Sequence, residues 1–109
     1  MRVMSGICLA LLALSSTACA RPQPVTSEAA ACAVATQKVT AVRGLPTSHV
    51  ARCENLDEKN GDYPLALYAF CRQDLCGSTS MGWFAVNKRT GEVFEWDVTE
   101  EKPGRRIAR

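Results

Sequence analysis

The chain has one stretch of helical period followed by four of strand period. Over 27–43 the residues Cys32, Ala35, Val39 and Val42 recur on one stripe at helical spacing, with Gln37, Lys38, Thr40 and Arg43 mostly elsewhere. Ser27 is placed to cap the amino end, Glu28 to meet the first-turn dipole, and Gly44 with Pro46 to stop the helix. The period then changes. Residues 49–56 read as a first strand, 57–62 as a polar turn containing Asn-Gly, 63–71 as a second strand and 72–80 as a loop. Residues 81–87 and 92–99 read as a hairpin closed by Lys88-Arg89-Thr90-Gly91, with Gly91 at a left-handed position. The predicted fold is α+β: one amino-terminal helix packed on a four-stranded antiparallel meander over 28–100, then a basic tail over 101–109.

Placing Asn87 opposite Glu92 sets the hairpin register. Val86 then faces Val93, Ala85 faces Phe94 and Trp83 faces Trp96. Side chains alternate across a strand. One face therefore carries Trp83, Ala85, Phe94, Trp96 and Val98 without interruption, and is expected to meet the helix. The other carries Phe84, Val86 and Val93, broken by Glu95 and Asp97. It is expected to stay partly exposed as a patch for a partner.

The amino end reads as an export signal over 1–19. Arg2 is its basic region, and Ser15, Ser16, Thr17 and Ala18 are the small residues before a cleavage site. The apolar run 7–14 is too short to span a bilayer as a helix. Ser16-Thr17-Ala18-Cys19 resembles a bacterial lipobox, with Ser16 where a larger apolar residue is usual; cut there, Cys19 becomes a lipid-modified first residue. Ala18-Cys19-Ala20 also fits ordinary signal-peptidase cleavage, which releases a soluble periplasmic or secreted chain starting at Arg21. Both cuts remain open. In the first, Ala20 after the cysteine implies, by resemblance to Gram-negative lipoproteins, an outer-membrane protein facing the periplasm. Residues 20–27 read as a polar tether kept extended by Pro22 and Pro24.

Of six cysteines, Cys8 leaves with the signal, and Cys19 is either lipidated or removed. Cys32, Cys53, Cys71 and Cys76 remain, an even set in an oxidising compartment. From Arg43 back to Cys32 is roughly 16 Å of helix. From His49 to Cys53 is roughly 13 Å of strand running the other way, so Cys32 and Cys53 come level. The expected bridges are Cys32–Cys53 and Cys71–Cys76, the second pinning the loop at 72–80. Each is worth about 2–4 kcal/mol.

Charge changes the picture little. Without Arg2, 12 basic residues stand against 11 acidic ones. Lys102, Arg105, Arg106 and Arg109 crowd the carboxyl end, which reads as solvated. No basic face interleaved with aromatics points to nucleic acid. His49 is the single histidine, and no nucleophile–base set or phosphate-cradling loop accompanies it. Asp57, Glu58 and Asp62 lack calcium-loop spacing, and the cysteines lack the close pairs of a zinc site. Glu92, Glu95 and Asp97 read as solubilising, and Trp83 with Trp96 as a core pair. No metal, cofactor or enzymatic chemistry is expected.

The run G-W-F-A-V-N-K-R-T-G-E-V-F-E-W-D over 82–97 resembles the final hairpin of small bacterial exported proteins of the PepSY-like or cystatin-like kind. The resemblance implies a binding or inhibitory module, in some cases directed at peptidases or cell-wall enzymes. The expected function is a non-enzymatic binding module of the cell envelope, an inhibitor or immunity-type protein of an exported enzyme. The alternative is a structural or accessory lipoprotein of an envelope assembly. Partner contact is expected at Arg72, Asp74 and Leu75 in the pinned loop, and at Phe84, Val86 and Val93.

Overall fold

Local signals place the helix where they predict it. In α1 (Glu28–Arg43) the Ser27 hydroxyl accepts from the Ala30 amide at 3.0 Å, and Gly44 at φ 71° ends the helix. The buried stripe is Ala31, Ala35, Val39 and Thr40. It is turned from the predicted one: Ala35 and Val39 hold their places, whereas Val42 is 47 % exposed. Thr40 is tolerated in the core because its hydroxyl donates to the Thr36 carbonyl at 2.7 Å. A 3-10 turn, Thr47–His49, then carries the chain to the sheet, so His49 belongs to the turn rather than to a strand.

The computed structural model describes residues 22–71 and 79–108. They form α1 and the strands β1 (Val50–Asn55), β2 (Asp62–Ala69), β3 (Ser80–Asn87), β4 (Val93–Asp97) and β5 (Lys102–Arg106). The sheet is wholly antiparallel, in the order β1-β2-β3-β4-β5. There are five strands, not four: the expected basic tail contains β5, paired to β4. The turn before it is built by Asp97, whose carboxylate accepts from the amides of Thr99 (3.0 Å) and Glu100 (2.9 Å). Ile107 fastens the far end, its amide donating to the Val93 carbonyl at 2.8 Å.

Side-chain and glycine chemistry sets the other two tight turns. Asn60 and Gly61, at φ 49° and 86°, link Lys59 to Asp62 as an Asn-Gly hairpin requires. Between β3 and β4, Asn87 Oδ1 accepts from the amides of Arg89 (3.0 Å) and Thr90 (2.9 Å) and from the Thr90 hydroxyl (3.1 Å). Gly91 follows at φ 75°, and a Cβ there would stand 2.8 Å from the Gln23 carbonyl oxygen. That approach exists because the Gln23 and Val25 amides donate to Thr90 and Lys88 carbonyls at 3.2 and 2.8 Å. Val25 is part of the core. The segment expected to be an extended polar tether is thus docked on the hairpin from Gln23 onward.

The hairpin register is the predicted one at Val86–Val93 and Ala85–Phe94. Its faces are reversed. Phe84, Val86 and Val93 lie under α1 with Tyr63, Leu65 and Leu67 from β2 and with Ala31, Ala35 and Val39 from the helix. The Arg43 guanidinium stands 5.7 Å from the Phe84 ring centre. The small helical stripe needs bulky partners, and β2 offers three in succession on the Tyr63-Leu65-Leu67 side, whereas Pro64 and Ala66 precede Tyr68 on the other. Cross-strand pairing of Leu65 with Phe84 and Tyr63 with Val86 carries that choice into the hairpin. Of the two expected disulfides, Cys32–Cys53 is formed, with Cα atoms 6.0 Å apart, and ties the helix to edge strand β1. The expected Cys71–Cys76 bridge reaches outside the described residues at Cys76.

Candidate functional site: the helix-free face of the sheet

Because α1 takes one face, Pro64, Ala66, Ala85, Phe94 and Trp96 share the other. No described helix covers it. Ala66 and Ala85 are nevertheless 1 % and 0 % exposed. Large neighbours close over these small residues: Trp96, itself 9 % exposed, and the half-buried Phe94. Two apolar side chains of this hairpin stay open to solvent, Trp83 at 44 % and Val98 at 50 %.

Beside Trp96 lies an open cleft of about 610 Å³. Pro64, Trp96, Leu56 and Val98 give it apolar walls, and Asp57, Glu58, Lys59 and Glu101 give it a charged rim. The rim is braced by ion pairs. Lys59 Nζ meets Glu101 Oε1 at 2.7 Å, and Lys88 Nζ meets Glu58 Oε1 at 2.5 Å. The connection between β1 and β2 is thereby tied to the other two turns. The Lys59 hydrogen bond and charge hold the Glu101 carboxyl below its ordinary value, and the Glu58 hydrogen bond raises Lys88. These groups are solvated, and each pair adds little stability.

Asp62 differs. It is 6 % exposed, and its Oδ1 has no hydrogen-bond partner among the described residues. Burial raises its pKa, against the Asn87 hydrogen bond and the Lys88 charge, which lower it. It shares a side of β2 with Pro64 and Ala66, so a costly acid ends that row.

The residues expected to meet a partner fare differently. Phe84, Val86 and Val93 are 2 %, 0 % and 1 % exposed and form core, which corrects the expectation of a surface patch there. Arg72, Asp74 and Leu75 lie outside the described residues, as do Cys19 and Arg109. Cys32 and Cys53 are the bridge to the helix, and Cys71 follows the end of β2. Trp83 and Trp96 sit on the helix-free face rather than against the helix, so the expectation of a helix-facing pair is also corrected. Asp97, expected to be a solubilising acid, caps a turn. His49 stands at the end of its 3-10 turn. Among the described residues no group of three or more His, Cys, Asp or Glu side chains could hold a metal ion.

The exposure of Trp83 and Val98 is hidden in the sequence because both belong to the row with more apolar residues. The bulk of Leu65 and Leu67 against Ala66 on β2 was the available signal for the reverse choice. No family model, no curated protein and no solved structure matches this chain.

Proposed function

We propose that this chain is a non-enzymatic binding module of the bacterial cell envelope, of inhibitor or immunity type, which meets its protein partner through the helix-free face. The observation that supports this most is the exposure of Trp83, at 44 %, on the helix-free sheet face, and of Val98, at 50 %, in the turn after β4. An exposed tryptophan on a rigid sheet supplies apolar area at small ordering cost, which suits an interface anchor. The likeness of the 82–97 hairpin to PepSY-like and cystatin-like proteins agrees with a binding role. Export, with lipid on Cys19 or release at Arg21, completes the proposal.

Site-directed photocrosslinking in the native envelope tests it. A crosslinker at position 83 or 98 is expected to give one discrete adduct, and the same group at Gln37, on the outer side of α1, none. Equal adducts at all three positions, or none at 83 and 98, would remove the face as the site. Intact mass of the mature protein from membrane and soluble fractions decides between the two cuts.

A further inference from the structure

We propose that edge strand β1 pairs with a second copy of itself, making a two-fold dimer with a continuous ten-stranded sheet. The proposal is independent of the partner reading above, and either can fail without the other.

The two sheet edges differ in kind. β5 is Lys102-Pro103-Gly104-Arg105-Arg106. Pro103 lacks an amide donor, and two such strands would set like charges together, so this edge is blunted against self-pairing. β1 is Val50-Ala51-Arg52-Cys53-Glu54-Asn55, with no proline. Its inner side is ordered against β2, where the Leu56 amide donates to the Pro64 carbonyl at 2.9 Å. Backbone groups alternate in direction along an antiparallel strand. Leu56 and Glu54 therefore turn toward β2, and Cys53 and Asn55 turn their amides and carbonyls outward.

Charge placement selects the occupant. Arg52 and Glu54 project from the same side of β1, with side chains 61 % and 55 % exposed. They are held in place rather than splayed: they pair with each other at 4.0 Å, the Arg52 guanidinium lies 3.9 Å from the Tyr68 ring centre, and the Tyr68 hydroxyl donates to Glu54 Oε1 at 3.2 Å. An antiparallel partner centred on Cys53 exchanges two backbone hydrogen bonds at that residue. It also sets Arg52 of each copy opposite Glu54 of the other. Those are non-hydrogen-bonded pairs, where side chains approach most closely. The strand is thus complementary in charge to its own reverse. A two-fold axis normal to the sheet leaves both helices on one side and both tryptophan faces on the other.

The test is light scattering with size exclusion on the mature protein, up to about 1 mM. The wild type is expected to show a concentration-dependent dimer. Arg52→Glu alone and Glu54→Arg alone each place like charges opposite one another, and each is expected to weaken the dimer by about tenfold. An equimolar mixture of these two variants restores both opposite-charge pairs, and is expected to dimerise about as strongly as the wild type. Because the mixture contains only the proteins that fail alone, a folding defect cannot produce that pattern. A wild type monomeric throughout, variants that dimerise unchanged, or a mixture no stronger than its components would each overturn the proposal.

Discussion

The two faces of this sheet both bury apolar side chains, but by different means. Under α1, bulky residues from three strands meet an alanine stripe, and Leu65, Val86 and Val93 are 0 %, 0 % and 1 % exposed. On the far side the strands carry Pro64, Ala66 and Ala85, while Trp96 closes over the middle and Trp83 remains 44 % exposed. Volume, not hydrophobicity, separates them. A helix with small residues at its contact positions needs large side chains below it, and the opposite face is left with a few large aromatics among small residues.

The largest way to break this contrast is to remove bulk from the covered face. Leu65→Ala is expected to cost about 2–5 kcal/mol in chemical denaturation. Opening the bridge that holds the helix to β1 comes next. The Cys32→Ser/Cys53→Ser double variant releases a cross-link between residues 21 apart and is expected to lose about 2–4 kcal/mol. A smaller effect sharpens the contrast from the other side. Burial raises the Asp62 pKa, so the fold binds a proton there more tightly than the unfolded chain does. The ionised group therefore costs stability above its folded pKa, and that cost disappears as the pH falls below the ordinary value of 3.8. Asp62→Asn is accordingly expected to stabilise at pH 7 relative to its effect at pH 3, by under about 1 kcal/mol. Smallest is Trp83→Ala, expected to change stability by no more than about 0.5 kcal/mol while abolishing the adduct given by a crosslinker at position 98.

Much of this was legible in the residues. Ser27 and Gly44 mark the helix ends through local hydrogen bonding and φ, which depend on no distant contact. Asn87, Thr90 and Gly91 likewise set the hairpin and its register. The Cys32–Cys53 bridge followed from matching helix rise against strand rise. The faces of the hairpin were not legible in the same way. Their assignment depends on the register of β3 against β2, and those strands are joined by a long connection instead of a tight turn. Counting apolar residues then favoured the row with two tryptophans. β5 was hidden because a fully exposed edge strand needs no apolar alternation; its pairing comes from the Asp97 turn and from Ile107 behind it. Val25 was hidden for a related reason, as a single buried residue in a polar segment carries no period.

The division of the hairpin can be read directly from its fluorescence, since Trp83 and Trp96 are the chain's two tryptophans. Trp96→Phe leaves Trp83, and Trp83→Phe leaves Trp96. The account predicts that Trp83 emits at the longer wavelength and is readily quenched by iodide, whereas Trp96 emits to the blue and is protected. Protection of Trp83 equal to that of Trp96 would contradict the face assignment and, with it, the proposed partner surface.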